Sequence, residues 1–439
     1  MPALIFSIFN VLTLQRFNAL TLTRRGVFAL FGFVTVLQAS AKDWPQFLGP
    51  TRNGAYTGPA LAASWPKDGP PIVWQRKVGQ GFSGPAVASG KLILFHRVDD
   101  NKEAVECLDA NTGKSLWSFD YPTAYRDDFG FDEGPRATPA ISNDRVYTYG
   151  AEGVLTCLDL ASGKKIWSLN AKKEFHAPKG FFGIACSPLV EGDAVILNIG
   201  GNDGSGIVAF DKLTGKILWK ATNDSASYSS PVAATINNQR YLFVLTLANF
   251  VALDPANEKI LFQYPFRPPI RASVTAATPL VVEDQVFLSA SYGLGAVLLK
   301  ITPNGPQKIW SGDDILSNHY ATCVHLNGFL YGIHGRTDPG FDPPASLRCV
   351  ELKTGKVRWQ QEAFGAATLT LAGDQLFILT EKGELIRAPA TPSSFKPLDR
   401  AQVLPTQVRA HPALANGLFY ARSKDKLVCL DLRGDKRDK

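Results

Sequence analysis

The segment Cys107–Trp117 reads Cys-Leu-Asp-Ala-Asn-Thr-Gly-Lys-Ser-Leu-Trp, and worn copies of it return along the 439-residue chain. We take Asp109 as the marker of the first copy; the equivalent positions follow at intervals of 50, 52, 43, 48, 49, 37 and 43 residues. These positions are Asp159, Asp211, Asp254, Thr302, Glu351, Ala388 and Asp431. A period in the forties, with an apolar run on each side of a polar turn, is typical of radial repeat architectures.

A second motif, small residues followed by proline, precedes each marker and supports the same period. Its copies, worn in the later repeats, are Ser83–Pro85, Ala137–Pro139, Cys186–Pro188, Ser229–Pro231, Ala277–Pro279, Ala321–Cys323, Ala367–Leu369 and Ala410–Pro412. A polar turn of hairpin type and an apolar run such as Arg145–Tyr149 come after it. Each repeat therefore predicts four strands: A after the proline motif, B, C ending at the marker, and D ending at a tryptophan.

The residue pattern between strands C and D is explained by the geometry of a tight turn. The Asp-x-x-Thr-Gly-Lys pattern places glycine where φ must be positive, and the aspartate side chain can bond the turn backbone. Six of the eight tryptophans end a D strand, where a large ring packs between neighbouring sheets. They are Trp74, Trp117, Trp167, Trp219, Trp310 and Trp359. This distribution indicates a packing role.

The two ends of the chain predict how the ring closes. The last repeat stops after Asp431 without room for a D strand, and Ile72–Val78 near the start has the D pattern, including Trp74. An N-terminal strand that completes the last sheet would remove its open edge. The sequence thus predicts an all-β fold, an eight-bladed β-propeller of four-stranded antiparallel blades closed by an N-terminal strand. Seven blades remain the alternative if the eroded repeat around Ala388 is an insertion.

The first 41 residues are typical of an export signal. They contain three arginines and no acidic residue, and the apolar run Val27–Leu37 precedes Ala39-Ser40-Ala41, a small-x-small cleavage pattern. We predict a signal peptide over 1–41, an N-terminal arm over 42–71 and the propeller over 72–439. The expected location is periplasmic or otherwise exported, in soluble form after cleavage near Ala41. The general secretory and twin-arginine routes both stay open, as does the true start codon.

Charge and composition restrict the partners. The formal net charge of +7 falls to +4 once the leader and its arginines are removed. No basic face emerges, so a nucleic-acid partner is not expected. No later apolar segment approaches membrane-spanning length, and Leu37–Lys42 offers no cysteine for a lipid anchor. We expect a monomer.

The cysteines predict neither disulfides nor a zinc site. Cys107, Cys157, Cys349 and Cys429 occupy one repeat position on strand C, and equivalent positions in different blades do not approach bonding distance. No Cys-x-x-Cys pair occurs. We interpret these residues as small buried apolar fillers.

The Asp-x-x-Thr-Gly-Lys-x-x-Trp repeats resemble the pyrroloquinoline-quinone-like repeats of quinoprotein propellers, over nearly the whole mature chain. Asp43–Pro50, Gly134–Pro139, Ala226–Pro231 and Ser317–Thr322 are similar to segments of exported planctomycete-type members. The resemblance implies one of two branches. One is the quinone-dependent alcohol dehydrogenases, which use pyrroloquinoline quinone with calcium, and the other is the propeller lipoprotein of the outer-membrane β-barrel assembly machinery. The vicinal cysteine pair and calcium-binding set of the first branch, and the lipid-bearing cysteine of the second, have no counterpart in this sequence.

The loops that lead into the A strands predict a ligand site at one mouth of the channel. Arg136 stands directly before one proline motif, and Asn318, His319 and Tyr320 hold the corresponding place four blades later, so we expect these groups to face each other across the axis. The other candidate ligand-binding residues are Phe181, Tyr228 and Arg271. They suit an anionic or hydroxylated ligand. Alternatively, Arg136 satisfies Asp132 or Glu133 of its own loop.

No catalytic motif or metal site is predicted, because His319, His325 and His334 fall on parts of one blade that diverge. Two functions stay open. The first is an exported binding or scaffold module for a protein or carbohydrate partner, without a cofactor. The alternative is a pyrroloquinoline-quinone-dependent alcohol or sugar dehydrogenase that uses calcium.

Overall fold

The computed structural model describes residues 43–270, 273–338 and 340–434, which form eight blades of four antiparallel strands each. The eight-bladed propeller predicted from the repeats is confirmed. The predicted leader over 1–41 lies outside the described residues. The single helix among them is α1 (Ala171–Glu174), and in this part of the chain no helix is long and apolar enough to cross a bilayer.

Two strands precede the first blade, and the next four blades follow the chain in order. The early strands are β1 (Ala55–Tyr56) and β2 (Ile72–Lys77). Blade 1 contains β3 (Ala86–Ala88), β4 (Lys91–Val98), β5 (Lys102–Asp109) and β6 (Ser115–Pro122). Blade 2 contains β7 (Ala140–Ser142), β8 (Arg145–Tyr149), β9 (Val154–Asp159) and β10 (Lys165–Asn170). Blade 3 contains β11 (Leu189–Glu191), β12 (Ala194–Asn198), β13 (Ile207–Asp211) and β14 (Ile217–Ala221). Blade 4 contains β15 (Val232–Ile236), β16 (Gln239–Leu245), β17 (Asn249–Leu253) and β18 (Ile260–Pro265).

The remaining blades continue this order until the ring closes. Blade 5 contains β19 (Leu280–Val282), β20 (Gln285–Ala290), β21 (Gly295–Thr302) and β22 (Gly305–Gly312). Blade 6 contains β23 (Val324–Leu326), β24 (Phe329–His334), β25 (Ser346–Glu351) and β26 (Val357–Gln361). Blade 7 contains β27 (Ala367–Ala372), β28 (Gln375–Thr380), β29 (Glu384–Pro389) and β30 (Asp399–Gln402). Blade 8 contains β31 (Ala413–Ala415), β32 (Leu418–Arg422) and β33 (Lys426–Asp431), and β2 completes it.

The closing strand pairs as the sequence predicts. Strand β2 is antiparallel to β33, with Ile72 opposite Leu430 and Trp74 opposite Cys429. The eroded repeat around Ala388 forms a complete blade of its own, with β1 added in parallel beside β27. The seven-bladed alternative is therefore wrong.

The turn after the marker residue has the geometry that its sequence predicts. In blade 1, Asp109 Oδ1 accepts hydrogen bonds from the backbone N–H of Thr112 and from its hydroxyl, both at 2.8 Å. Gly113 has a φ of 68°, the left-handed region in which a side chain is unfavourable. This turn brings β6 back alongside β5.

The tryptophans lie within the D strands, which continue past them, so the prediction that each D strand ends at its tryptophan is wrong. Five of these residues join their blade to the next, because their indole Nε1 atoms donate hydrogen bonds to backbone carbonyl oxygens just beyond strand C of the following blade. The pairs are Trp74 to Ala110 (2.9 Å), Trp117 to Leu160 (3.0 Å), Trp167 to Lys212 (3.2 Å), Trp310 to Leu352 (2.7 Å) and Trp359 to Thr391 (2.8 Å). The expected packing role thus includes a hydrogen bond between blades that the sequence did not reveal.

The second residue of the proline motif links inner strands around the channel. Gly84 N–H donates to Thr138 Oγ1 at 3.2 Å, Thr138 N–H to Ser187 Oγ at 2.9 Å, and Ser187 N–H to Ser230 Oγ at 2.9 Å. Each small hydroxyl therefore satisfies a buried amide of the preceding blade. All six cysteines are buried and free.

The N-terminal arm crosses the centre of the ring. Trp44 exchanges two 2.8 Å backbone hydrogen bonds with Val87 on the innermost strand of blade 1. Further along the arm, the Arg52 guanidinium is buried and donates to backbone carbonyl oxygens of blades 3 and 4, at Pro188 and Pro231. The carbonyl oxygen of Gly54 then accepts a 2.9 Å hydrogen bond from the backbone N–H of Leu371 on β27 of blade 7. The arm thus bonds to the inner parts of blades 1, 3, 4 and 7.

Candidate functional site

A cavity of about 160 Å³ lies at the mouth of the channel, where the loops leading into the A strands converge. Aromatic rings from the arm and from several blades line it: Phe47, Phe82, Phe131, Phe182, Tyr228 and Tyr320. Because Phe47 belongs to the N-terminal arm, the arm contributes to the wall of the cavity. The site is a small, mostly apolar pocket with a few polar groups, as binding sites commonly are.

The structure brings together four of the candidate residues from the sequence. Arg136, Tyr228, His319 and Tyr320 all line the cavity, so loops four blades apart do share one mouth. The adjacent Phe181 is 40% exposed and lies outside the lining. Their part in ligand binding stays a prediction.

Asn318 does not line the cavity. Asn318 is buried behind the lining, where its Nδ2 donates to the carbonyl oxygen of Ile333 at 2.8 Å and its backbone N–H donates to Ser289 Oγ at 2.7 Å. These bonds fix the loop that carries His319. Arg271 lies outside the described residues.

Arg136 is held by its own loop, as the alternative from the sequence proposed, through the backbone carbonyl of Asp132 and the carboxylate of Asp127. Its Nη2 donates to the carbonyl oxygen of Asp132 at 3.0 Å and lies 3.4 Å from Asp127 Oδ2, a carboxylate whose side chain is fully buried. The guanidinium also lies 5.8 Å from the centre of the Phe182 ring, within the range of a cation–π contact. Arg136 therefore lines the cavity with its guanidinium already bound to acceptors of its own loop.

Two further arginines near the cavity, among the residues that the structure describes, are paired as well. Arg409, which the sequence did not single out, donates from Nε to Glu381 Oε1 at 2.7 Å. Arg336 donates from Nε to Asp338 Oδ2 at 2.7 Å, and Asp338 lines the cavity. Arg136, Arg336 and Arg409 thus each have their own carboxylate, an arrangement that suits an uncharged polar ligand.

His319 is neutral, and its tautomer follows from its partners. Nδ1 accepts the backbone N–H of Thr337 at 3.2 Å, so the proton resides on Nε2, which donates to Tyr292 Oη at 2.9 Å. Burial lowers the pKa of His319 to about 4, against a smaller opposing effect of Asp338. Both ring nitrogens are engaged, so His319 shapes the cavity with its ring.

Two residues that line the cavity each carry a buried polar atom with no hydrogen-bond partner within the described part of the chain. The atoms are Tyr320 Oη and His411 Nε2. Burial lowers the pKa of His411 to about 4, so its imidazole is neutral and Nε2 can donate or accept according to its tautomer. Buried polar atoms that lack partners are costly, and a hydroxylated ligand can satisfy both.

His411 had a signal in the sequence. It occupies the second position of the proline motif, where the other copies place glycine or a small hydroxyl residue such as Ser187. The larger imidazole packs its ring edge-on against Phe47, with centroids 5.0 Å apart. A departure from a repeated small residue at the channel wall therefore marks a cavity residue.

The cavity does not fit pyrroloquinoline quinone with calcium. Calcium takes six to eight oxygen ligands, and no cluster of three or more metal-binding side chains occurs among the described residues. Of the carboxylates around the mouth, Asp338 lines the cavity and is bound by Arg336. The quinone itself carries carboxylate groups, which would enter a site whose guanidiniums already have partners.

A family of known proteins matches this chain in sequence. The family model described as outer membrane protein assembly factor BamB matches residues 101–361, which is more than half of the chain. In sequence, no curated protein is significantly similar to this chain.

Several solved structures share the architecture. Quinohemoprotein alcohol dehydrogenase from Comamonas testosteroni has a TM-score of 0.65 at 17% identity, with 90% of this chain and 81% of the enzyme covered. BamB from Moraxella catarrhalis has a TM-score of 0.58 at 14% identity, with 84% and 98% covered. A europium-containing methanol dehydrogenase has a TM-score of 0.63 at 12% identity, with 89% of each chain covered. At such identities the likeness is one of fold. The family match over 101–361 shows that this chain belongs to the PQQ-like β-propeller family described as outer membrane protein assembly factor BamB.

Proposed function

We propose that this protein is an exported binding module whose channel-mouth cavity holds a neutral, hydroxylated ligand, namely a sugar. The observation that carries the proposal is the pair of unpartnered buried atoms, Tyr320 Oη and His411 Nε2, in a cavity walled by aromatic rings. A sugar ring has C–H groups on one face, which favour the negative face of an aromatic ring, and hydroxyls at its edge. Those hydroxyls would complete the hydrogen bonds of Tyr320 and His411.

The charge distribution supports a sugar over an anion. Arg136, Arg336 and Arg409 are each bound to a carboxylate, so an anionic ligand would have to displace an existing partner. A neutral ligand leaves the three pairs in place. The alternative of a quinone-dependent dehydrogenase rests on likeness of fold, and the donor set of the cavity does not support it.

A direct binding measurement tests the proposal. Glucose, galactose and N-acetylglucosamine are titrated into the protein and followed by saturation-transfer NMR and calorimetry. We expect at least one sugar to bind, and Tyr320→Phe to weaken it about tenfold, since one hydrogen bond of about 1.4 kcal/mol is lost. Arg358→Met, on the outer strand β26, is the matched control and should bind normally.

The outcomes separate the two functional classes. Binding of none of these sugars or their oligomers would contradict the sugar proposal. Retention of pyrroloquinoline quinone and calcium through gel filtration, together with dye reduction by alcohols, would establish the dehydrogenase instead.

A further inference from the structure

We propose that a second sugar subsite lies directly outside the cavity, on the exposed rings of Phe129 and Phe181, so that the ligand is a linear oligosaccharide. The inference rests on the proposed function and extends it from a single sugar ring to a chain. The two phenylalanines belong to different loops, which lead into blades 2 and 3. Their side chains are among the most exposed aromatic surfaces of the described residues, at 55% and 40%.

The exposed rings continue the rings of the cavity without a gap. Phe129 lies 6.1 Å from Phe181 and 5.2 Å from Phe182 between ring centroids. Phe182 in turn lies 5.9 Å from Phe131 and 6.0 Å from Tyr228, both of which line the cavity. A row of rings therefore runs from solvent into the pocket. Successive sugar units of one chain can stack along such a row.

The row is held in place by hydrogen bonds. Tyr228 Oη accepts the backbone N–H groups of Phe181 at 2.8 Å and Phe182 at 3.0 Å. On the other loop, the buried Asp127 carboxylate accepts the backbone N–H groups of Phe129 at 3.2 Å and Phe131 at 2.8 Å. Both backbones are thus fixed before a ligand arrives, which lowers the entropic cost of binding.

Charged groups beside the exposed rings favour a sugar chain over an apolar segment of a protein. Lys179 Nζ bonds both carboxylate oxygens of Asp128, at 2.8 and 2.9 Å, in a solvent-exposed pair. Lys179 also lies 5.4 Å from the centre of the Tyr125 ring. The hydroxyls of a sugar can hydrogen-bond this pair, whereas an apolar segment would remove it from water without compensation.

Affinity as a function of chain length tests the subsite. The β-1,4-linked oligomers of glucose and of N-acetylglucosamine, from one to six units, are titrated by calorimetry into the wild type and the double variant Phe129→Ala/Phe181→Ala. In the wild type we expect an affinity gain of about tenfold between the monomer and the tetramer of the series that binds. The double variant should lose this gain and keep the affinity for the monomer. Leu116→Ala removes an equally exposed side chain from the outer strand β6 and should change nothing.

The results distinguish the subsite from the cavity. If affinity does not rise with chain length in the wild type, or rises equally in the double variant, the second subsite is wrong while sugar binding in the cavity stands. If neither series binds at any length, the second subsite is wrong, and both proposals fail if galactose does not bind either. Loss of folding in the double variant is checked by its thermal unfolding midpoint, and the single variants Phe129→Ala and Phe181→Ala then carry the same comparison.

Discussion

The guanidinium of Arg52 donates a 2.9 Å hydrogen bond to the carbonyl oxygen of Pro231, 179 positions further along the chain. A longer bond of 3.4 Å reaches the carbonyl oxygen of Ser187, and Pro188 accepts a third. Burial lowers the pKa of Arg52 to about 10, so the group still carries its charge at neutral pH. One side chain of the arm thus satisfies buried carbonyl groups of two blades at the centre of the ring.

Arg52→Met should destabilise the protein because it leaves these buried carbonyl groups without donors. We expect a loss of about 3 kcal/mol in the free energy of unfolding, measured by chemical denaturation. The exposed Arg358, changed to methionine, serves as the control. Equal stability of the two variants would show that the arm does not anchor the ring.

His411→Thr should weaken sugar binding without lowering the stability of the protein. The substitution restores the small hydroxyl residue found at this position in other blades and removes an unpartnered buried nitrogen. We expect unchanged or higher thermal stability together with a loss of sugar affinity of about tenfold. Thermal unfolding and calorimetry on the same preparation give both numbers. A variant that is less stable and binds normally would contradict the assignment of His411 to the cavity.

Removal of the Tyr228 hydroxyl should lower the stability of the protein, whereas removal of the Tyr320 hydroxyl should not. Tyr228→Phe deletes an acceptor for two backbone amides and should cost about 1–3 kcal/mol of stability. Tyr320→Phe removes a hydroxyl with no partner among the described residues, so its stability should not fall. Chemical denaturation of the two variants side by side measures the difference. A destabilised Tyr320→Phe would mean that its hydroxyl is satisfied within the protein.

Stability should decline in mild acid. Burial lowers the pKa of His319, His334 and His411 to about 4, from an ordinary value of 6.5. The unfolded chain therefore binds more protons between those two values, and the free energy of unfolding falls as the pH drops from about 6.5 to about 4. Denaturation at several pH values gives the slope. His411→Thr should flatten it.

The fold was predictable because its determinants repeat. A marker such as Asp109 and a tryptophan such as Trp117 recur at one period, and each copy constrains the others. The eroded repeat around Ala388 was harder to place, since its last strand, β30, lacks the tryptophan. The pattern of strands before and after it still required a blade.

The residues of the site were predictable only where they lie next to a repeated motif in the sequence. Arg136 and His319 lie beside the proline motif, so their place in the ring followed from the period. Whether Phe181 or Phe182 turns toward the cavity depends on the hydrogen bonds of Tyr228, which no sequence pattern records. Arg409 stands directly before Ala410–Pro412, the same place that Arg136 has in its own repeat, so the sequence did contain a signal for it.

The pairing of β2 with β33 means that the order of synthesis and the order of assembly differ. Strand β33 lies between β2 and β32 in blade 8. Strand β2 is therefore synthesised early but stays unpaired until β33, close to the end of the chain, has been made. A chain that stops before Lys426 loses more than one strand, because β2 loses its only neighbour in the sheet at the same time. Termination just before Lys426 should therefore leave blade 8 with two unpaired parts, β2 and the β31–β32 hairpin, and open the ring.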